Sequence, residues 1–420
     1  MGTDAIKLTH PSKLLSGTVA LTGSKSESNR ALIIQALGGD HVNIANLSSA
    51  DDTITLHGAL EAAAVTAASA EAPTTIDVGP AGTAMRFLTA YLAITPGNFL
   101  LTGSERMKQR PIGILVDALR TLGAGVQYAG APGYPPLAIR GGFDQQTDTV
   151  RVQGNVSSQY LSALLLVAPA LPRGLSLQIE GELTSRPYLT MTLDMLSEAG
   201  IHHEWQGDVI HIAPQKAQPC TITVEPDWSA ASYWYAMVAL ADEANLFLPN
   251  LKRSSLQGDT AIVDIMSHFG VASSFERGGL RIQKVAGNMP ESVPLLDFKE
   301  CPDLAQTVVV CAAALRRNAS FTGLHTLRIK ETDRIAALQK ELGKFGATLI
   351  EDGAVYHLQT EGVYHAEHLV IDTYEDHRMA MAFAPLGMVF PQVQINEPDV
   401  VGKSYPDFWK HLKQQGFVIS

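Results

Sequence analysis

Five charged side chains of both signs fall within the seven residues Arg328-Ile-Lys330-Glu331-Thr-Asp333-Arg334, at the mouth of an amphipathic run, Ile335-Ala-Ala-Leu-Gln-Lys-Glu-Leu342. Carboxylates set beside fixed cations can move protons while bound anions are held, and the planar fork of arginine suits carboxylate and phosphate oxygens. A strand-like segment, Ala319 to Leu324, leads into the run. The charges therefore sit at a strand-to-helix junction, where α/β proteins place ligands. Taken alone, the run equally describes a solvated, ion-paired first helical turn.

The same theme recurs along the chain. Leu21-Thr-Gly23-Ser-Lys25-Ser26-Glu-Ser-Asn-Arg30 places small donors and two cations where a helix starts, an arrangement suited to an anion. It is not a P-loop: Gly17 and Gly23 are one residue too far apart, and Ser24 separates the glycine from the lysine. Val78-Gly-Pro80-Ala-Gly82-Thr83-Ala-Met-Arg86 is a second glycine-hydroxyl turn opening an apolar helix. Arg106-Met-Lys108-Gln-Arg110-Pro111 is a cationic loop closed by a proline fit to start a helix over Ile112 to Leu122. Ser157-Ser158-Gln159-Tyr160 precedes an apolar helix over Leu161 to Leu171, and Ser185-Arg-Pro-Tyr188 precedes one over Leu189 to Leu196. Glu300-Cys-Pro-Asp303, Tyr374-Glu-Asp376-His377-Arg378 and Lys403-Ser-Tyr-Pro406 complete the set. Each stretch alone also fits a capped helix or a solvated turn, and the repetition favours a shared ligand site.

These stretches need a scaffold, and the spacing of glycines outlines one. Helix-like runs end at Gly123, Gly200, Gly270, Gly346 and Gly416 and then turn into strands, each glycine fitting a left-handed C-cap. The stops lie 70 to 77 residues apart, and a degenerate earlier copy is suggested at Leu60-Glu-Ala-Ala-Ala. Six such units fill the chain, each long enough for about two helices and several strands. Three units per domain make two similar domains with the active site between them. Domain 1 is expected to comprise residues 1–21 and 228–420, and domain 2 residues 22–227. The chain would cross near 21–23 and 223–228, where Asp227 is a candidate helix N-cap.

With 420 residues, 46% hydrophobic and 17% charged, the composition is that of a packed globular α/β protein. A net charge of −11 argues against nucleic-acid or anionic-membrane partners while permitting a local basic pocket. Cys220, Cys301 and Cys311 lack metal-ligand spacing and are read as buried thiols. His365-Ala-Glu-His368 is read as a loop or strand, so no metal and no cofactor is expected. The N-terminus lacks signal-peptide character, and the longest apolar runs fall short of a membrane span. A cytoplasmic protein follows from these readings.

Together, Gly23-Ser-Lys-Ser…Ser28-Asn-Arg30, Ala81-Gly-Thr-Ala-Met-Arg86, Arg106…Arg110-Pro-Ile-Gly, Val156-Ser-Ser-Gln, Ser185-Arg-Pro-Tyr, Pro302-Asp303, Lys330-Glu-Thr-Asp-Arg334, Asp376-His-Arg-Met-Ala-Met381 and Lys403-Ser-Tyr-Pro resemble the 5-enolpyruvylshikimate-3-phosphate synthase family. The motifs run in the family's order from about residue 15 to the C-terminus. The resemblance implies an α/β fold of two domains, each of three βαβαββ repeats in an inside-out barrel, with the active site in the interdomain cleft. It implies transfer of the enolpyruvyl group of phosphoenolpyruvate to the 5-hydroxyl of shikimate 3-phosphate, with release of phosphate, by a monomer. On that pattern Lys25, Gly82, Arg110, Gln159, Arg334, Arg378 and Lys403 hold phosphoenolpyruvate. Shikimate 3-phosphate falls to Lys25, Ser26, Arg30, Ser157, Ser158, Gln159, Ser185, Tyr188, Asp303, Thr326 and Lys330. Asp303 is the implied base at the hydroxyl and Glu331 the acid/base at the methylene carbon, with His377 orienting Glu331 and Lys25 assisting phosphate departure.

Pro80, Phe87 and Thr326 depart from the family's usual Asn, Pro and Asn, and the first two bear on sensitivity to glyphosate, the family's inhibitor. Two alternatives stay open at this level. A UDP-N-acetylglucosamine enolpyruvyl transferase would carry a reactive cysteine in the loop of Ser104 to Arg110, and this loop has none. A non-catalytic anion-binding homologue would have little use for Asp303, Glu331, His377 and Lys25 together.

Overall fold

The structure is a computed structural model and describes residues 4–66, 72–285 and 292–420; the first three residues of the N-terminal reading lie outside it. The chain divides into two compact units, one formed by Met1–Thr22 with Glu225–Ser420 and the other by Gly23–Val224.

Strand composition alternates by residue. Leu175–Glu180 buries Leu175, Leu177 and Ile179 while the intervening residues face outward, the period of a sheet covered on one side. The helices behave differently. Trp228–Leu240 buries almost every residue, Trp228, Tyr233, Trp234 and Tyr235 included, and Ala305–Ala314 is buried nearly throughout. A helix apolar all round belongs inside, so each unit packs its helices beneath one-sided sheets. Burying each large apolar side chain contributes roughly 1.5–3 kcal/mol.

Five four-stranded sheets share one pairing pattern, two parallel strands followed by two antiparallel neighbours, and in four of them a helix joins the parallel pair. In the second unit, strand Thr74–Asp77, helix Gly82–Ile94, strand Gly97–Thr102, helix Gly113–Leu122 and strands Gly125–Tyr128 and Leu137–Gly141 form one complete βαβαββ repeat. The five glycine stops read from the sequence all have positive φ: Gly123 at 113°, Gly200 at 76°, Gly270 at 79°, Gly346 at 87° and Gly416 at 96°. At Gly346 a Cβ would come within 2.0 Å of the Gly362 carbonyl oxygen, so only glycine fits.

The first repeat of the second unit departs from the expected pattern. Among the described residues it has only two strands, Cys220–Thr223 pairing in parallel with Val42–Ala45. Helix Asp51–Thr66 runs on where a closing hairpin would start, and the next described strand begins at Thr74. Cys220 opens this short sheet and is only partly covered, a correction to the expectation of a buried thiol; Cys301 and Cys311 are buried. In the first unit, Ala5–Thr9 completes the last repeat by pairing with Val393–Asn396 and Val418–Ile419, while Leu14–Thr18 pairs in parallel with Glu243–Pro249.

Candidate active site

In the unit formed by Gly23–Val224, the predicted residues gather at helix N-termini. Ser24 caps helix Lys25–Gly38 by accepting from the Glu27 N–H, which puts Lys25 and Ser26 in its first turn. Lys25 Nζ lies 3.0 Å from Oδ2 of the buried Asp52. Arg30, one turn further on, is buried: Nε donates to Thr192 Oγ1 at 2.7 Å, and Nη2 donates to Ser162 Oγ at 3.1 Å and the Tyr188 carbonyl at 3.2 Å. Its guanidinium lies 5.5 Å from the Phe87 ring centroid and 5.8 Å from that of Tyr188. Burial pulls its pKa down to about 10, so it stays cationic at neutral pH. Most of its donors thus tie three helices together.

Helix Gly82–Ile94 starts without a side-chain cap, leaving its first amides directed at whatever lies ahead. The Arg110 guanidinium lies over Gly82, where a Cβ would meet it at 2.6–2.9 Å. Arg86 holds the loop beneath by donating to the carbonyls of Gly82 and Pro111. Ser157 caps helix Ser158–Val167 by accepting from the Gln159 N–H, and Gln159 Nε2 donates to Thr83 Oγ1 at 3.1 Å. Ser185, at φ 55°, stands before helix Arg186–Glu198, which carries Tyr188 in its first turn.

In the other unit, the charged run at 328–334 divides into two jobs. Arg328 pairs with Asp333 Oδ2 at 3.0 Å and with Glu351 near the surface, and Asp333 caps helix Arg334–Gly343 through the Ala336 N–H. That half is the ion-paired turn. Lys330, Glu331 and Arg334 belong instead to a buried cluster. Arg334, 1% exposed, donates from Nε to Asp376 Oδ2 at 2.7 Å, from Nη1 to Asp303 Oδ1 at 3.2 Å, and from Nη2 to Glu331 Oε2 at 2.9 Å and Asp376 Oδ1 at 3.4 Å.

Arg378 Nη2 lies 2.9 Å from Asp303 Oδ2, Lys330 Nζ lies 4.0 Å from Asp303 Oδ1, and Lys403 Nζ lies 3.4 Å from Glu331 Oε1. Asp376 caps helix His377–Phe383 and follows two left-handed residues, Tyr374 and Glu375, whose strained turn aims its carboxylate inward. His377 Nδ1 is 3.5 Å from Asp376 Oδ1. Thr326 Oγ1 is buried and has no hydrogen-bond partner among the described residues. Burial pushes the Asp303 carboxyl up, but Arg378, Lys330 and Arg334 outweigh it and hold the group well below the usual carboxylate range. Burial likewise disfavours the Arg334 cation, yet Asp376, Glu331 and Asp303 raise its pKa further.

The structure thus brings Asp303, Lys330, Glu331, Arg334, Arg378 and Lys403 into one network. Such an array can bind polyanions and hold one carboxylate ionised beside another that two cations engage. Sequence reasoning did not single out Asp52, Asp376, Ser229, Tyr233 or Asp259 as site residues. Only Asp376 lay inside a recognised motif, and the acidic pair Asp51-Asp52 at a helix start was the one further signal available.

The architecture is that of the enolpyruvyl transferases. Over the whole chain it matches an EPSP synthase from Acinetobacter baumannii with a TM-score of 0.77 at 21% identity, covering 100% of both chains. The enolpyruvyl transferase NikO from Streptomyces tendae matches with a TM-score of 0.71 at 16% identity, covering 100% of this chain and 99% of that one. The chain belongs to the EPSP synthase (3-phosphoshikimate 1-carboxyvinyltransferase) family, whose model matches residues 9–412. It is 47% identical over 415 residues to a 3-phosphoshikimate 1-carboxyvinyltransferase of Bacteroides fragilis, covering 98% of each chain. It is 37% identical to the enzyme of the same name from Burkholderia multivorans, covering 95% of this chain and 96% of that one.

Proposed function

We propose that this chain transfers the enolpyruvyl group of phosphoenolpyruvate to the 5-hydroxyl of shikimate 3-phosphate, releasing inorganic phosphate, in the biosynthesis of aromatic amino acids. The observation that carries the residue-level reading is the buried network in which Arg334, Arg378, Lys330 and Lys403 surround Asp303 and Glu331. Anionic substrates meet cations already oriented by carboxylates, so little reorganisation is needed on binding.

In the addition step Asp303 takes the proton of the 5-hydroxyl as that oxygen bonds to C2 of phosphoenolpyruvate, while Glu331 delivers a proton to the methylene carbon C3. Its neighbours keep Asp303 in the ionised form that a base requires, while the same cations weaken it as a proton acceptor until substrate anions draw on them. In the elimination step Glu331 removes a proton from the new methyl group, the C2–O bond to phosphate breaks, and Lys25 neutralises the departing phosphate. His377 orients Glu331. Phosphoenolpyruvate is held by Lys25, Gly82, Arg110, Gln159, Arg334, Arg378 and Lys403. Shikimate 3-phosphate is held by Lys25, Ser26, Arg30, Ser157, Ser158, Gln159, Ser185, Tyr188, Asp303, Thr326 and Lys330. Arg30 contributes chiefly by fixing the helix that carries Lys25 and Ser26. We assign a cytoplasmic monomer; among the described residues no helix is long and apolar enough to cross a membrane.

Phosphate release from phosphoenolpyruvate, measured with and without shikimate 3-phosphate, tests the reading, with UDP-N-acetylglucosamine as control acceptor. Release that requires shikimate 3-phosphate is expected. Release with the control acceptor alone, or binding of shikimate 3-phosphate without release, refutes it.

A further inference from the structure

Arg378 is held by more than Asp303. Its Nη1 lies 3.3 Å from the Tyr233 hydroxyl and 3.4 Å from the Asp303 carbonyl, and its Nη2 lies 3.4 Å from Ser229 Oγ. Ser229 in turn donates its single hydroxyl proton to Asp259 Oδ2 in a short hydrogen bond. That proton can serve only one acceptor, so the lone pairs of Ser229 Oγ are left to receive Arg378. Asp259 sits in the turn Gly258–Ala261, is 6% exposed, and is not among the groups assigned to substrate.

We propose that Asp259, acting through Ser229, is a positioning residue that fixes the Arg378 guanidinium for phosphoenolpyruvate; this rests on the function proposed above. A carboxylate is a stronger acceptor than a carboxylic acid or an amide, so the grip on Ser229 depends on the ionisation of Asp259. The charged and titratable groups that bear on it are Asp303 and Cys301 from the turn before helix Ala305–Ala314, Arg378 from helix His377–Phe383, and Asp227 at the start of helix Trp228–Leu240. Burial, reinforced by Asp303 and Asp227 and opposed by Arg378 and the Ser229 hydrogen bond, raises the Asp259 carboxyl to about 7. The position of Arg378 is therefore sensitive to pH in the neutral range. Asp259 touches no reacting atom and supplies no proton to the reaction.

The test uses the full-length chain with Ser229→Ala, Asp259→Ala, the double variant and Asp259→Asn, each checked by melting temperature and by shikimate 3-phosphate binding. Each alanine variant is expected to raise KM for phosphoenolpyruvate about tenfold, the scale of one hydrogen bond to a charged group, with kcat changed less than about threefold. Because the two act in series, the double variant should match the singles rather than multiply them. Asp259→Asn keeps an acceptor and should recover most of the KM. The ratio of its KM to that of the unaltered chain should vary between pH 6 and 8, since phosphoenolpyruvate's own ionisation cancels in the ratio. Unchanged KM in Ser229→Ala, multiplicative effects in the double variant, or a pH-independent ratio would overturn the proposal alone. An unaltered chain that releases no phosphate with shikimate 3-phosphate would instead overturn the functional reading on which the proposal stands, and the proposal with it.

Discussion

Replacing Arg334 by Met tests whether the buried cluster is held by that one guanidinium. The substitution keeps a long unbranched side chain and removes four hydrogen bonds to Asp376, Asp303 and Glu331. Asp376 is fully buried and would keep the Arg378 N–H at 2.9 Å without its main counter-charge. Removing one partner of a buried ion pair costs about 3–5 kcal/mol. For a unit of about 200 residues each kcal/mol shifts the melting temperature by roughly 2–4 °C, so a fall of about 6–20 °C is expected at pH 7. Arg334→Lys restores the charge without the fork, and should recover part of the loss. The sign of the pH dependence follows from Asp303, whose folded pKa is depressed. Its stabilising contribution is present above the ordinary carboxylate pKa and is lost as pH falls through the folded value. With Arg334 gone, Arg378 and Lys330 hold Asp303 less strongly, so the acid limb, which starts near the ordinary carboxylate pKa in both proteins, ends at higher pH in the variant, and the two melting curves converge below about pH 4. Calorimetric melts between about pH 2 and pH 8 supply the measurement. A variant melting within about 2 °C of the unaltered chain at pH 7, or a difference that does not shrink in acid, would refute the reasoning.

Glu331→Gln removes the proton donor while keeping an acceptor for Arg334 and Lys403; turnover should fall by at least about a hundredfold with both substrates still bound in calorimetric titrations. Gly82→Ala places a methyl group against the Arg110 guanidinium, which is the mobile end of a side chain, so the melting temperature should hold while KM for phosphoenolpyruvate rises severalfold in steady-state assays. Gly346→Ala meets both a φ of 87° and the Gly362 carbonyl, and should cost at least about 2 kcal/mol in urea unfolding. Asp259→Asn changes how stability depends on pH. The raised carboxyl favours folding fully below the ordinary carboxylate pKa, and that contribution is lost as pH rises through about 7, so the variant's melting temperature should decline less between pH 5 and pH 8.

Much of the scaffold could be read from local chemistry. A left-handed stop after an amphipathic run is decided within a few residues, and all five glycine stops have that conformation. Helix starts were legible for the same reason. Asp227 caps Trp228–Leu240, and the helix expected from Ile112 begins at Gly113 with Ile112 as its cap residue. That the first repeat shows only two strands among the described residues was not legible, because a repeat period read from glycines is silent about what lies between them.

Charge pairing is a different matter. Motif spacing placed Lys330, Glu331 and Arg334 together, but nothing local distinguishes them from Arg328 and Asp333, which the fold spends on a surface ion pair and a helix cap. The difference arises only when Asp303 and Asp376 arrive from elsewhere in the chain and claim Arg334. Asp259 makes the point more sharply. Gln257-Gly258-Asp259 reads as an ordinary polar turn, and its carboxylate acquires meaning from a serine on one helix and an arginine on another. Nor does burial alone give it that meaning, since Asp303 is also drawn from water and yet lies far below the usual carboxylate range. What separates them is the number of cations within reach: Asp303 has three, whereas Asp259 has Arg378 alone set against two neighbouring aspartates. That balance of distances belongs to the folded chain, and it leaves one of two neighbouring acids ionised at rest across the neutral range and the other free to respond to pH.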